Sequence, residues 1–324
     1  MEHRRYCTAV FIDISQAFDE VWHTGLLLKL KQALPHPAYS LLRSCLTDRM
    51  FQVRHQEAYT TLHPILAGVP QGSILGPILY TIFTADLPES EQTLTATYAD
   101  DTAILASHEN PIVVTSKPQT HLYRLEQWLQ QWRIRANESK STQVTFTLRR
   151  EECPPVHLNG RPIPQSDKAK YLGLHLDRRL TWRTHIHAKR KQLELSFKRM
   201  YWIMGRHSQM STENKFLLYK KILRPIWTYG IPLWGMASQS NITILQRFQN
   251  KVLRIVNAPW YIPNRVLHTD LLISTVREEV TKHGTTHKDK LIRHPNQLIP
   301  ILLEEQGPKR LKRYNPNDLT HRFS

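Results

Sequence analysis

The chain has 324 residues, 40% of them hydrophobic, and a formal net charge of +17, which suffices for one large domain or two. No apolar run approaches the roughly 20 residues needed to cross a bilayer, and the opening "MEHRRYCTAVFIDIS" lacks a signal-peptide core and cleavage site. Cys7, Cys45 and Cys153 lie far apart without CxxC spacing, which argues against a disulfide framework or a zinc knuckle and fits a reducing, intracellular setting.

In chain order, "TAVFIDI" predicts a buried strand ending at Ser15, and "AFDEVWHTGLLLKLKQAL" a helix stopping before Pro35. "PAYSLLRSCLTD" predicts a second amphipathic helix, and "MFQVRHQ" and "TTLHPIL" alternate as strands do. "GVPQGSILGP" is a Gly/Pro loop, followed by the apolar helix "ILYTIFTADL" up to Pro88. "TLTATYADDTAILAS" predicts strand, tight turn, strand. "LYRLEQWLQQWRI" places Leu122, Leu125, Leu129 and Trp132 on one helix face. "TQVTFTL" and "KYLGLHL" each predict a strand, with an Asn159-Gly160 hairpin turn between them. From Thr181 the texture becomes helical, over about 182–206, 212–229 and 240–257, with boundary errors of ~2–4 residues. The last forty or so residues are polar and weakly periodic, and are expected to be partly disordered. There are no internal repeats. The pattern is an α+β layer followed by a helical bundle.

The charge is segregated. Residues 1–150 hold 14 Lys+Arg and 14 Asp+Glu, whereas residues 151–324 hold 30 and 13. A neutral half followed by a basic half suggests a chemical module followed by one that grips a polyanion. A generic solubilising surface is the alternative, but aromatics mixed with the cations, as in "FKRMYWIMGR", favour the polyanion.

Asp100 and Asp101 sit at the turn of "TYADDT", where adjacent side chains reach one sheet edge. Two carboxylates there cost several kcal/mol unless cations neutralise them. Asp13 ends another buried strand, so two strand ends offer hard oxygen ligands suited to two magnesium ions ~3.5–4 Å apart. On the dipeptide alone, Asp as a simple turn former is the better account.

The context changes those odds. "FIDISQAFDEVWH", "GVPQGSILGPILYTIFTADLP" and "YADDTAIL", in this order, strongly resemble palm motifs A, B and C of the reverse transcriptases of non-LTR (LINE-type) retrotransposons. "RANESKSTQVTF" resembles motif D and "KYLGLHLDRRLTW" the primer-grip region that follows it. "YGIPLWG", "LQRFQNKVLRIVNAPWYIPN" and "LKRYNPNDLTHRF" resemble the jockey-type subgroup. The resemblance covers nearly the whole chain. It implies a right-hand polymerase palm, an antiparallel sheet with helices on one face, over residues 1–148. A β-hairpin and primer grip would follow at 149–180, a helical thumb at 181–275, and a basic tail at 276–324. It begins only a few residues before motif A, so a fragment without fingers or endonuclease is expected, with weak activity or none by itself.

By similarity, Asp13 and Asp100 would be the principal ligands of two Mg²⁺ ions (Mn²⁺ being an alternative), with Asp101 beside them. Phe18 would lie under the incoming sugar and clash with a ribose 2′-OH, the group that distinguishes RNA from DNA. The same ring also reads as a core aromatic. Gln71 would bond near the incoming base, and Gly72 would let backbone approach the nucleotide. Lys140 matches the motif D lysine that assists the pyrophosphate leaving group; without the resemblance it is a surface lysine. Asp19 reads as a helix N-terminal charge, Ser73 as an N-cap, Asp86 as structural, Tyr98 as packing beneath the primer end and Trp182 as core. His23, His175, His185 and His187 read as surface or packing residues. Arg183, Lys189, Arg190, Lys191, Lys198 and Arg199 fall on one long helix that would hold template and primer by their phosphates. The implied partners are an RNA template, a DNA primer and a dNTP, with no membrane. Cytoplasmic synthesis and nuclear action at integration follow from the need to reach chromosomal DNA. Another right-hand polymerase is a rival, although an RNA polymerase would show Gly-Asp-Asp and a small residue at the Phe18 position. An inactive nucleic-acid-binding remnant is a second rival.

Overall fold

Strand β1 (Tyr6–Ile14) is flanked on both edges, which makes it an inner strand. The computed structural model describes residues 4–70, 72–257, 261–296, Ile299 and Leu319. After β1 come helices α1 (His23–Ala33) and α2 (His36–Leu46), then short strands β2 (Met50–Phe51), β3 (Arg54–His55), β4 (Ala58–Tyr59) and β5 (His63–Pro64). Helix α3 (Leu75–Phe83), β6 (Leu94–Tyr98), β7 (Asp101–His108), α4 (Pro111–Gln131) and β8 (Ala136–Phe146) follow. β9 (His157–Leu158), β10 (Arg161–Pro162) and β11 (Lys168–Tyr171) lead up to Leu172, where the first of two compact units ends.

The main sheet has the order β6-β7-β1-β8 and is antiparallel throughout. Successive strand residues point to opposite faces. Val10 and Ile12, with Ile104 on β7, pack on Leu26 and Leu30 of α1, Leu79 and Phe83 of α3, and Leu122 and Leu125 of α4. Burial of each such side chain contributes about 1.5–3 kcal/mol. The opposite face carries Phe11 and Asp13, and Phe11 meets the ring of Tyr171, at 5.2 Å between centroids. The expected α+β layer with helices on one face of an antiparallel sheet is therefore present.

Four local readings are corrected. The stretch after β1 is not helical from Ala17: residues 15–20 form a turn in which Asp19 N–H donates to the Gln16 carbonyl (2.8 Å) and Gln16 has φ +46, and helix begins only at His23. Asp19 is thus a turn residue rather than a helix N-terminal charge. The strands expected around Met50–Ile65 shrink to two-residue pairs, β2 with β5 and β3 with β4, whose residues are all exposed and so gain nothing from alternation. Helix α4 starts well before "LYRLEQW", at Pro111, where Asn110 Oδ1 accepts from the N–H groups of Ile112 (2.8 Å) and Val113 (3.3 Å). "KYLGLHL" breaks at Leu172 (φ +45) and Gly173 (φ +74), which end one strand and precede another.

The second unit starts at Gly173. It contains β12 (Leu174–Asp177), α5 (Arg183–Arg199), α6 (Tyr201–Met204), α7 (Thr212–Leu218), a π-helical turn at Tyr219–Leu223, α8 (Arg224–Thr228), α9 (Ile231–Trp234), α10 (Gln239–Asn257), α11 (Asn264–Asp270) and α12 (Val276–Ile292). Trp182, Tyr219, Trp227, Trp234 and Phe248 anchor its core. The expected loose tail is ordered in its first part. α12 opens on a capping box formed by Thr275 and Glu278, and Val276 and Val280 enter the core. Glu279, only 2% exposed, pairs with Arg224 at 2.7 Å. Residues 301–318 and 320–324 lie outside the described residues.

Candidate active site

The β1–β7 ladder runs to Ile12↔Thr102, so the next positions outward are Asp13 and Asp101. Asp100 and Ala99 (φ +53) form the two-residue turn that closes the Tyr98↔Asp101 pair. The strand ends therefore bring all three aspartates to one exposed edge of the sheet. Burial, then the charge of Asp100, then that of Asp13, push the Asp101 carboxyl above its ordinary value. Asp101 thus lies in the field of both other carboxylates, a repulsion that a cation would relieve.

A bulge on β8 adjoins this edge. The β1–β8 register shifts between Phe11↔Thr142 and Asp13↔Asn137, looping out the intervening residues, among them Lys140. Asn137 Oδ1 accepts from Ser139 Oγ (2.7 Å) and from the Lys140 N–H (3.1 Å). Ser141 Oγ accepts the Asp13 N–H (3.1 Å) and donates to the Asn137 carbonyl (2.7 Å). A hydroxyl thus replaces a ladder carbonyl at Asp13, and exposed Lys140 stands on the strand beside it.

Phe18 sits in the turn after β1 and stacks on Tyr80 of α3 with centroids 4.9 Å apart. Tyr80 is 2% exposed and its hydroxyl has no hydrogen-bond partner among the described residues. Burial and the Asp100 charge both push that hydroxyl's pKa up. Burial and then Asp101 do the same to Tyr171, which donates to the Ala96 carbonyl across the open sheet face (3.4 Å). Reading the sequence singled out neither tyrosine, since no local pattern marks a ring aimed at a distant carboxylate.

The Gly/Pro loop docks on the Phe18–His23 segment. Gly68 N–H donates to Val21 O (2.9 Å), Val69 N–H to Phe18 O (2.8 Å), and His23 Nε2 lies 2.7 Å from Gly68 O. Gly68 has φ +94, and a Cβ there would meet Asp19 O at 2.9 Å. This glycine was also missed; its need appears only once the two segments touch. Gly72 has φ +81 and open space around it. Gln71 lies outside the described residues. Ser73 Oγ accepts from the Gly76 N–H (3.0 Å), but the N-cap position of α3 falls one residue later, on Ile74, which makes no side-chain capping bond, so Ser73 is not the N-cap that was expected. Asp86 is structural, as read: its carboxylate pairs with buried Lys29 and accepts from Trp128 Nε1 (3.2 Å). His23 and His185 are buried, and Tyr98 is 67% exposed.

On α5, Arg183, Lys191, Lys198 and Arg199 are exposed. Lys189 and Arg190 turn partly inward: Lys189 Nζ lies 5.4 Å from the Tyr229 ring centre, and Arg190 lies 4.6 Å from that of Phe248 and 2.7 Å from Glu194. The described residues contain no ready-made group of three His, Cys, Asp or Glu able to hold a metal ion. The donor set nevertheless fits a hard ion, because magnesium takes one or two carboxylates and completes its shell with phosphate oxygens and water.

Carboxylates gathered on one end of an antiparallel sheet, with helices on its other face, agree with the family that the sequence matches. The profile of the reverse transcriptase (RNA-dependent DNA polymerase) family covers residues 1–176, and the chain belongs to that family. Among its relatives, the probable RNA-directed DNA polymerase from transposon X-element of Drosophila melanogaster is 42% identical over 99% of this chain. The probable polymerase from transposon BS of the same species is 39% identical over 96%, and that from mobile element jockey 38% over 98%. The chain spans only 36%, 36% and 37% of these three relatives. A telomerase from Candida tropicalis, solved with a fragment of telomeric RNA, matches at 14% identity and TM-score 0.41 over 92% of this chain and 49% of that one; so distant a likeness carries no argument. Among the described residues no helix is long and apolar enough to cross a membrane.

Proposed function

We propose that this chain carries the palm and thumb of an RNA-directed DNA polymerase from a jockey-type non-LTR retrotransposon, joining dNTPs to a primer 3′-hydroxyl on an RNA template. The observation that carries this reading is the meeting of Asp13, Asp100 and Asp101 at one sheet edge. Two Mg²⁺ ions, or Mn²⁺, held there would supply activation of the attacking hydroxyl and neutralisation of the leaving pyrophosphate. Asp13 and Asp100 are the principal ligands and Asp101 assists.

Phe18, braced by Tyr80, excludes a ribose 2′-OH by bulk. Gly72, where an added Cβ would meet none of the described residues within 4 Å, lets the loop backbone approach the nucleotide, and Gln71, next in sequence, contacts the base. Lys140, on the bulge beside Asp13, gives a proton to pyrophosphate as it leaves. Arg183, Lys191, Lys198 and Arg199 hold phosphates of template and primer, while Lys189 and Arg190 stiffen the helix that carries them. Synthesis in the cytoplasm and action in the nucleus are part of this reading.

The test is primer extension on an RNA template with dNTPs and Mg²⁺. The chain is assayed alone and spliced in place of the matching stretch of the X-element polymerase. Extension by the spliced protein that Asp100→Asn abolishes is expected. Extension that survives Asp100→Asn, or none in either form while the parent X-element polymerase extends, would sink the proposal.

A further inference from the structure

Tyr171, the last residue of β11, lies across the open face of the main sheet. Directly paired residues of neighbouring strands share a face. The pairs Phe11↔Ala103 and Ala96↔Ala103 therefore put three side chains in one row over β1, β7 and β6. Asp13, Asp101 and Tyr98 form the next row on that face, two residues along each strand and so about 7 Å away. Tyr171 spans the first row from end to end. Its ring packs on that of Phe11 with centroids 5.2 Å apart, and its hydroxyl donates to the Ala96 carbonyl at 3.4 Å. Between these anchors the phenol passes over Ala103, which is 2% exposed although it is on the open face. Alanine at 96 and 103 leaves the depth that the ring fills.

The backbone leading to Tyr171 is tied to the far edge of the sheet, where Gln143 of β8 donates its N–H to Pro164 O and accepts from the Ser166 N–H, both at 2.9 Å. Burial and then the Asp101 charge push the Tyr171 hydroxyl's pKa up, so that carboxylate is within electrostatic reach. The β6–β7 hairpin that carries Asp100 and Asp101 ends the sheet: β6 has no second neighbour among the described strands, whereas Asp13 stands on inner strand β1. Movement of the hairpin against β1 would change the spacing of the three carboxylates. We infer that Tyr171 is a positioning residue, a strut that ties the hairpin bearing Asp100 and Asp101 to the strand bearing Asp13 and fixes the distances between their carboxylates. Its target is the backbone behind the aspartates rather than primer or nucleotide. The effect on turnover rests on the polymerase reading; the bracing of the hairpin does not.

Amide hydrogen exchange of residues 97–102 in the full chain tests the strut itself. Tyr171→Phe keeps the ring and removes the donor, and should quicken exchange there roughly 5-fold, the worth of one hydrogen bond. Tyr171→Leu removes the ring as well and should quicken it further. In the X-element polymerase carrying this chain, Tyr171→Leu should lower kcat on the order of 100-fold and raise the MgCl₂ concentration that gives half-maximal extension. KM for dNTP and Kd for an RNA–DNA duplex should stay at their wild-type values, and Tyr171→Phe should recover most of the lost kcat. Wild-type exchange at 97–102 in both variants overturns the inference, as does exchange quickened equally over the whole first unit, which would make Tyr171 an ordinary core residue. So does a loss of duplex affinity with kcat and the Mg²⁺ response intact, which would assign Tyr171 to the primer. Tyr171→Phe decides the matter if Tyr171→Leu does not fold. Extension with unchanged exchange and kcat in the variants removes the strut alone, and quickened hairpin exchange without metal-dependent extension by the wild type removes the polymerase reading alone.

Discussion

Gly68→Ala tests whether the Gly/Pro loop and the turn after β1 form one unit. A Cβ at φ +94 places an L-residue in the left-handed region, costing about 1–2 kcal/mol. That Cβ would also stand 2.9 Å from the backbone oxygen of Asp19, which no side-chain rotation relieves. The two segments must part, weakening the bonds Gly68 to Val21, Val69 to Phe18 and His23 to Gly68. At about 1 kcal/mol each, losing two brings the total to roughly 3–4 kcal/mol. Gly72→Ala is the internal comparison, since φ is +81 there but nothing lies within 4 Å; strain alone gives about 1–2 kcal/mol. Urea unfolding of the full chain, read by midpoint and slope, measures both. A gap of about 2 kcal/mol between the variants is expected, and values within about 0.5 kcal/mol of each other would refute the contact. Parting the segments also moves Phe18 off Tyr80, so Gly68→Ala in the spliced polymerase should weaken selection of dNTP over rNTP.

Glu279→Ala leaves Arg224 without its buried partner and should destabilise the second unit by about 3 kcal/mol in a thermal melt. Tyr80→Phe removes a buried hydroxyl that has no partner, so unfolding free energy should rise by about 1 kcal/mol; a fall would mean that the hydroxyl is bonded. The folded state raises the Asp101 pKa, so just above the ordinary carboxylate value it binds more protons than the unfolded chain, and stability falls as pH rises through that window. Asp101→Asn should flatten this slope in EDTA and shrink the rise in melting temperature that MgCl₂ produces. Burial, then Lys189 and His175, lower His185 from 6.5 to about 4. Stability tied to it is present above pH 6.5 and lost as pH falls toward 4, and His185→Phe should flatten unfolding curves in that range.

What could be read from the sequence follows the range of the interaction. The short apolar, β-branched run "TAVFIDI" and the strand–turn–strand pattern of "TLTATYADDTAILAS" are local signals, so the strands and the three aspartates at their ends were legible. The first turns of α4 carry Pro111 and Pro118, a residue type that ordinarily breaks helices, although Pro111 sits at the tolerated start of the helix and Asn110 caps it. α12 was hidden because its inner face includes Glu279, and a buried carboxylate looks like a surface residue until Arg224, 55 positions away, is placed against it. Lys189 and Arg190 share the periodicity of the exposed cations on α5, and only the rings of Tyr229 and Phe248 tell them apart.

The same rule separates the parts of the candidate site. The carboxylates need only strand ends and a turn, but their surroundings need contacts between distant segments: Tyr80 against Phe18, Gly68 against Asp19, Ser141 on the Asp13 amide. These supports are polar or conformationally special residues that would be ordinary elsewhere in the chain. Substituting one should therefore disturb the aspartates' positions while leaving their identities intact. In the extension assay, Ser141→Ala, which removes the acceptor for the Asp13 N–H, should lower turnover more than it lowers stability, since one hydrogen bond is worth only about 1 kcal/mol to the fold, whereas misplacing a catalytic carboxylate by an ångström costs on the order of 100-fold in rate. A turnover loss no larger than the stability loss would show that Asp13 is positioned by the β1 ladder alone.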